Sequence, residues 1–576
     1  MKRVRFLRLC LVLAVTVILF KLFQIQILQH DFYVAKAAAE HTSLYDIVAK
    51  RGEIYMMDGS EPVPVVLNTT VFSVIVDPQT VNKEAAAELL NKIDKSRWTV
   101  SSVDEIFEDE TRRYLVIAKN VPRADYLKIA EEIPGGAYVK SSNQRVYVEG
   151  DLAASTLGFV NADGIGQYGV EGALNGELAG KNGLLKTITD VNKVALSIGD
   201  DNIRIPAEDG KNVVLTVDRN VQKKVEEVLS QHMKDLGISH GSAMVYDPNS
   251  GKVMAMASFP TYSPADYGNV EDASVYMNDV LETPYEPGSI CKGFTMASAI
   301  NEGKMTAETT YYNEGTTMVD GWPIDNAMKD KQLGEITMRT ALQWSLNTGS
   351  VQALRLLGGS TTEITQRGKE LLYDYYYNHY GLGQPTGIEL YENVGTVVPP
   401  DSEHAYNSTY ANMTFGQGLN VTMVQVAAGW SSLINGGYYY QPTVVAGYVD
   451  KNGNFKPAEK KEPIRTTVTP ETSATMRGML HDTRWWMGDP PEYYFGGKTG
   501  TAQAIRDGAY VMDEFVSGYI GFGGASQDHP EYVIIVKMWE KGRTTSSEEE
   551  VRPVFEDLKM WMIDYLRIRP NTGAAE

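Results

Sequence analysis

Hydrophobic positions along the chain fall into three regimes. In the first, Leu9 to Phe20 is a run without a charge, and the apolar character resumes after Lys21 through Leu28. A helix of about 20 such residues reaches across a bilayer, so residues 9–28 predict a single transmembrane anchor. Lys2, Arg3, Arg5 and Arg8 precede it. Basic flanks stay on the cytoplasmic side, which makes residues 1–8 a cytoplasmic tail and sends everything beyond Leu28 outside the cell membrane. A cleaved signal peptide begins the same way, but the small-residue stretch Ala37-Ala38-Ala39 lies too far from Phe20 to suit the peptidase. Lys21, Gln24 and Gln26 are costly facing lipid and predict a protein neighbour in the membrane, or snorkelling to its outer interface.

In the second regime short patterns alternate. Gln29 to Glu40 is helical in pattern, Ala49 to Tyr55 opens a strand, and Val71 to Asp77 is a second, largely apolar strand. Helical stretches at Glu84 to Ile93 and Arg123 to Ile133 alternate with strands at Tyr114 to Ala118 and Ala137 to Lys140, a mixed α/β region that ends near Gly210. In the third regime Asn220 to Met233 is an amphipathic helix, and 241–248 with 251–258 is a hairpin about Asn249-Ser250. Lys498 to Ala502, Val516 to Phe522 and Tyr532 to Met538 predict three strands of one antiparallel sheet, closed by a helix from Val554 to Leu566. The expected organisation is an α+β chain with an anchor at 9–28, an N-terminal pedestal at 29–210, a larger domain at 211–570 and a frayed tail at 571–576.

Composition narrows the function. The chain has 576 residues, 43% of them hydrophobic, enough for several cores, and its net charge of −20 excludes nucleic acid as a partner. Its two cysteines, Cys10 in the membrane segment and Cys291, cannot reach each other, so the exported part has no internal disulfide. Cys291 reads as a small core residue. The eight histidines hold no His-Glu-x-x-His, and neither a metal site nor a cofactor is expected. Gly164-Ile165-Gly166-Gln167-Tyr168-Gly169 fits a dinucleotide fingerprint, but the polar lead-in Asn161-Ala162-Asp163 makes it a turn. Gly497-Lys498-Thr499 lacks the first glycine of a P-loop, since Glu492 stands there. Tyr373 to Tyr377 reads as aromatic packing rather than a groove.

Ser289-Ile290-Cys291-Lys292 carries the chemistry. It follows Pro287-Gly288 and leads into the apolar stretch Gly293 to Ala297. If the serine opens a helix, Lys292 lies one turn along on the same face, where its amine can take the hydroxyl proton. An isolated pair would read as a helix cap beside a solvated lysine. Here Ser345-Leu346-Asn347 and Lys498-Thr499-Gly500-Thr501-Ala502 follow in order, completing a trio carried by serine acyltransferases that react with β-lactams.

That trio, with its wide last gap, resembles the penicillin-binding proteins. Arg51-Gly52-Glu53-Ile54-Tyr55, Gly158-Phe159 through Gly164, Gly169-Val170-Glu171, Leu178-Ala179-Gly180 and Leu215 to Asp218 with Gln222 look like the N-terminal region of their class B members. Phe415-Gly416-Gln417-Gly418, Thr422, Gln425 and Asn435-Gly436-Gly437 match further stretches. One departure stands out: the family continues with Asp-Arg-Asn-Gly where this chain has Met56-Met57-Asp58-Gly59. The resemblance implies a serine-acyltransferase domain with a central antiparallel sheet flanked by helices, acting as a peptidoglycan D,D-transpeptidase on stem peptides. Ser289 would be the nucleophile and Lys292 its base. Ser345 would relay the proton, and Asn347 would hold the substrate amide and orient Lys292. Lys498 with Thr499 and Thr501 would bind the substrate carboxylate, Gly500 would allow close approach, and the N–H groups of Ser289 and Thr501 would hold the oxyanion. It further implies β-lactams as covalent inhibitors and, as a membrane partner, a glycosyltransferase of the shape, elongation, division and sporulation family. The alternatives are a β-lactam sensor and a scaffold that activates the glycosyltransferase.

Overall fold

The computed structural model describes residues 2–29, 43–85, 111, 114–129, 135–187, 203–506, 509–543 and 546–571. Most of the predicted helix at 29–40, the greater part of that at 84–93, the end of that at 123–133 and the tail from 572 lie outside them. Two compact units result. The smaller takes residues 1–53, 67–146 and 176–212, and the larger takes 54–66, 147–175 and 213–576.

In the smaller unit Lys2–Phe23 is one α-helix of 22 residues, which changes at Gln24 to a π-helical turn ending at Leu28. Leu13, Val17, Leu19 and Phe20 are exposed, and Lys21 Nζ donates to Gln24 Oε1 at 3.1 Å, so two of the polar groups within the apolar run satisfy each other. Among the described residues no helix is long and apolar enough to cross a membrane. Strands Ser43–Ile47, Gly183–Thr187 and Ile203–Ile205 form an antiparallel sheet. Val71 to Val76 pairs with Leu115–Pro122 over a small core of Val74, Val76, Ile117 and Val121. The Arg51-Gly52-Glu53 segment is locked by its backbone: Gly52 N–H donates to Leu178 O at 2.7 Å, and a Cβ on Gly52 would stand 1.8 Å from Lys211 O. Only glycine fits there.

The larger unit is built on one antiparallel sheet. Helix α1 (Arg219–Leu236) leads to β1 (His240–Tyr246) and β2 (Val253–Phe259), and helix α2 (Cys291–Asn301) follows. After α3 (Met338–Gln343), α4 (Asn347–Leu357), α5 (Met423–Ser432) and α6 (Pro470–Asp482) come β3 (Tyr494–Arg506), β4 (Ala509–Ser526) and β5 (His529–Trp539), then α7 (Ser547–Glu550) and α8 (Arg552–Tyr565). The strand order is β2-β1-β5-β4-β3, all antiparallel, which leaves β3 at an edge.

Alternation along the strands divides the sheet into two faces. Ala243, Val245, Ile534 and Val536 meet Val225 and Leu229 of α1 and Phe555 and Leu558 of α8 in one fully buried cluster, where each large apolar side chain contributes about 1.5–3 kcal/mol. The other face packs against α5, whose Trp430 lies 5.9 Å from Phe522. Caps fix the helix ends. Asp218 accepts from the N–H groups of Asn220 and Val221, and Thr422 with Gln425 forms a capping box on α5. Gln222 ties α1 to β2 through Met256, accepting its N–H at 2.7 Å and donating to its O at 2.8 Å.

Several sequence expectations acquire physical reasons. The glycine-rich 164–169 segment closes a small hairpin between Phe159–Val160 and Gly166–Gln167, with Asn161 Oδ1 accepting the N–H groups of Asp163 and Ile165. Met56 is fully buried opposite Val63, so an apolar contact stands where the family carries a charged residue. The tyrosine run forms a π-helical turn, Asp374–His379, against α2: Tyr376 OH lies 2.8 Å from Thr295 Oγ1. Cys291 is buried, and burial pushes its thiol well above the ordinary range.

Candidate active site

Ser289 sits in a 3-10 turn, Gly288–Ile290, that runs directly into α2. The turn lies hard against edge strand β3. Gly288 has φ +58°, and a Cβ on it would fall 2.6 Å from Thr501 O; a Cβ on Gly500 would fall 2.2 Å from Pro287 O. Two glycines on opposite sides of one contact therefore set the distance between the serine and the Lys498-Thr499-Gly500 strand. Alanine at Gly500 is expected to force the turn away by a fraction of an ångström to 1 Å. A shift of that size can cost about 100-fold in a positioned reaction, so acylation by a fluorescent penicillin should slow at least tenfold.

Lys292 is 1% exposed, and its Nζ donates to Ser345 O at 2.6 Å and to Ser345 Oγ at 3.1 Å. Ser345 supplies both acceptors because its backbone is left-handed, at φ +55°, a conformation worth about 1–3 kcal/mol of strain for a non-glycine residue. Ser345 N–H to Leu342 O at 3.0 Å and Leu346 N–H to Ala341 O at 2.8 Å hold the strained turn at the end of α3. Asn347 opens α4, and its Nδ2 donates to Asp325 O at 2.8 Å.

Two lysines are buried in this site. Burial first, then repulsion from Lys498, holds the Lys292 ammonium well below its ordinary value, a shift toward the neutral amine. Lys498 is 3% exposed and is lowered to about 8 by burial, opposed by attraction from Glu548. Its Nζ donates to Thr499 O at 3.2 Å and to Thr499 Oγ1 at 3.3 Å.

A cavity of 660 Å³ gathers Ser289, Lys292, Ser345, Asn347, Lys498, Thr499 and Thr501 on one lining. Gly500 alone of the predicted residues stands outside the lining, backing onto Pro287. Trp344 and Trp485, ring centroids 6.3 Å apart, supply an apolar wall with Trp486 and Met487. Among the described residues no group of histidine, cysteine, aspartate or glutamate is placed to hold a metal ion.

Sequence reasoning missed Ser547 and Glu548. The Thr501 hydroxyl lies 2.7 Å from Ser547 Oγ, which also donates to Gly500 O, so the Lys498-Thr499-Gly500-Thr501 strand is buttressed from α7. Glu548 lines the cavity beside Lys498. Nothing in Ser546-Ser547-Glu548-Glu549-Glu550 distinguishes these two from an ordinary solvated acidic run.

Behind the cavity wall lies a buried charge network. Arg484, whose side chain is 1% exposed, pairs with Asp489 at 2.7 Å and Glu556 at 3.0 Å and donates to Tyr519 OH at 2.6 Å; Lys559 joins the same two carboxylates. Removing one member leaves buried charge unpaired, at about 3–5 kcal/mol. Arg484→Met is therefore expected to lower the melting temperature by roughly 10 °C, as read by calorimetry.

Comparison with known proteins places this geometry. The sequence matches the penicillin binding protein transpeptidase domain over residues 241–558 and the penicillin-binding protein dimerisation domain over residues 46–215. It is 30% identical to Stage V sporulation protein D of Bacillus subtilis over 92% of this chain and 80% of that protein. It is 24% identical to peptidoglycan D,D-transpeptidase FtsI of Escherichia coli over 98% of this chain and 91% of that one. Its fold is similar to that of penicillin-binding protein 3 from Mycobacterium tuberculosis complexed with aztreonam, with a TM-score of 0.67 at 24% identity, covering 91% of this chain and 98% of that one.

Proposed function

The chain belongs to the class B penicillin-binding proteins, and on that footing we propose how its cavity performs the crosslinking of peptidoglycan. The protein is a serine-type D,D-transpeptidase acting on peptidoglycan stem peptides, and β-lactams are its covalent inhibitors. The observation that carries the assignment of roles is Lys292: a buried amine, its ammonium form disfavoured, hydrogen-bonded to Ser345 on a cavity it shares with Ser289 and Lys498.

In the first half-reaction the Ser289 Oγ attacks the carbonyl carbon of the penultimate D-alanine while Lys292 takes the hydroxyl proton. The oxyanion is held by the N–H groups of Ser289 and Thr501. The C–N bond then breaks, and D-alanine leaves with a proton passed from Lys292 through Ser345. Asn347, anchored by its bond to Asp325, faces the substrate amide, and Lys498 with Thr499 and Thr501 binds the terminal carboxylate. In the second half-reaction the amine of a neighbouring stem attacks the ester carbonyl, forming the crosslink and restoring the serine. The test is the purified chain with a synthetic pentapeptide donor, followed by mass spectrometry. D-alanine release and an amine-dependent crosslinked product are expected; release of neither would overturn the reading.

Residues 9–28 form the retained membrane anchor, with residues 1–8 cytoplasmic and both the pedestal at 29–210 and the transpeptidase domain at 211–570 outside the cell membrane. The uncharged run from Leu9 to Phe20, the basic residues before it and the dimerisation and transpeptidase matches that follow support this reading. Lys21, Gln24 and Gln26 direct it toward a membrane glycosyltransferase of the shape, elongation, division and sporulation family. Exchanging Leu9 to Leu28 for an unrelated span should preserve penicillin binding but sharply reduce co-purification with that enzyme. Unchanged co-purification would reduce the segment to a tether.

A further inference from the structure

A peptide group is planar and trans, so the direction of its carbonyl fixes the direction of the N–H at its far end. One such group in β3 bears on the reaction. It joins Gly500 to Thr501, with the Gly500 carbonyl at one end and, at the other, the Thr501 N–H that the proposed mechanism gives to the oxyanion. The two ends face different neighbours. Thr501 N stands 2.8 Å from where a Cβ on Gly288 would lie, beside the nucleophile turn, whereas Gly500 O stands 3.6 Å from where a Cβ on Gly518 of β4 would lie.

β3 is an edge strand, and Gly500 is paired with Gly518. Glycine opposite glycine offers no side-chain packing to fix the tilt of the peptide group. A bond from outside the sheet supplies it: the Ser547 hydroxyl donates to Gly500 O. Ser547 is 2% exposed and stands off the cavity lining, between Ser546 and Glu548, which are both on it. Its own position is held by fully buried Val551, whose N–H donates to Ser547 O at 3.3 Å, and by buried Glu550, paired with Arg543 at 3.1 Å.

A serine hydroxyl carries one proton. Because that of Ser547 goes to Gly500 O, the 2.7 Å contact between Ser547 Oγ and Thr501 Oγ1 has the threonine as donor. The result is a directed chain, from Thr501 hydroxyl to Ser547 hydroxyl to Gly500 carbonyl, in which each bond polarises the next. It ends on the peptide group whose N–H lies beside the nucleophile turn. The bond to Gly500 uses a proton of its own, so it persists when the Thr501 hydroxyl turns to the substrate carboxylate.

We infer that Ser547 is a positioning residue for the oxyanion hole, aligning and polarising the peptide between Gly500 and Thr501 so that its N–H is a fixed, strengthened donor to the acyl oxygen; this rests on the transpeptidase reading above. Ser547 acts through the peptide and touches no substrate. Its effect belongs to the transition state, where negative charge gathers on the acyl oxygen, and not to the initial capture of the substrate.

The experiment is stopped-flow acylation of the full chain in detergent by benzylpenicillin, joined to infrared difference spectroscopy of the adduct with the β-lactam carbonyl isotopically labelled. Ser547→Ala should fold, with a melting temperature within about 5 °C of wild type, and its affinity for benzylpenicillin before reaction should be unchanged. Its acylation rate constant should fall about tenfold, less than the roughly 100- to 1000-fold loss from deleting an oxyanion donor outright. The ester carbonyl band of the adduct should move to higher wavenumber, the mark of a weaker hydrogen bond to that oxygen, which a loss of packing alone does not produce. Ser547→Thr keeps the hydroxyl and should restore both rate and band. The inference is overturned if the alanine variant acylates at the wild-type rate, if its band does not move, if the loss lies in the binding step, or if a natively folded threonine variant behaves as the alanine one does. A wild-type chain that forms no adduct at Ser289 would instead overturn the transpeptidase reading, and the inference with it.

Discussion

Replacing Ser289 by alanine is expected to abolish both the β-lactam adduct and D-alanine release, a loss on the order of 10⁴-fold or more, because no second nucleophile stands at the same point of the cleft. Of the other motif hydroxyls on the cavity, Ser345 Oγ accepts from Lys292, Thr499 Oγ1 accepts from Lys498, and Thr501 Oγ1 is bonded to Ser547. Only Ser289 combines partial exposure with a place at the start of α2, one turn from the buried amine of Lys292. Its removal costs little in folding, within about 0.5–1 kcal/mol for a partly exposed hydroxyl, so an inactive variant with a native melting temperature is the predicted outcome. Intact-mass spectrometry after benzylpenicillin reads it directly: one adduct on the wild-type chain, mapped to the Ser289 peptide, and none on the variant. An adduct persisting on Ser289→Ala would move the nucleophile elsewhere.

The parts of this site that the sequence disclosed are those whose chemistry demands particular residues at short spacing. Ser289 and Lys292 must share one helical turn, and Lys498, Thr499 and Gly500 must share one strand, so each set appears as a local pattern. What holds them is a matter of long-range contact. Gly288 and Gly500 are both required because their segments meet across a sequence separation of 212 positions, and neither glycine says so alone. Ser547 buttresses Gly500 and Thr501 from a segment that reads as a charged surface. The same holds for Arg484, Asp489, Glu556 and Lys559, ordinary charged residues whose burial depends on α8 lying against β4. Fold organisation follows the same rule. The hairpin at 240–259 and the three C-terminal strands were legible from alternation, whereas the grouping of residues 54–66 and 147–175 with 213–576 has no compositional mark, because it rests on pairings such as Ile54 with Val213.

The dependence of acylation on pH should show two limbs, each belonging to one lysine. On the acid side the second-order rate falls as Lys292 gains a proton, since only the neutral amine can accept from Ser289. Its pKa is depressed, by burial foremost and by Lys498 next, so this limb lies well below the range of an ordinary lysine. On the alkaline side the rate falls through about 8, where Lys498 loses the charge that captures the substrate carboxylate. The two limbs can be separated by substitution. Lys498→Arg keeps the charge at all accessible pH, so the alkaline limb should disappear while the acid limb stays, with part of the rate lost because the wider guanidinium fits poorly against Thr499. Lys498→Met removes both the carboxylate partner and the repulsion on Lys292. The rate should drop by about 10- to 100-fold, the value of a charge-assisted contact, and the acid limb should move to higher pH, because burial alone then depresses the Lys292 amine. An acid limb that does not move in Lys498→Met would break the electrostatic link between the two lysines and leave burial as the sole reason that the Lys292 pKa is depressed.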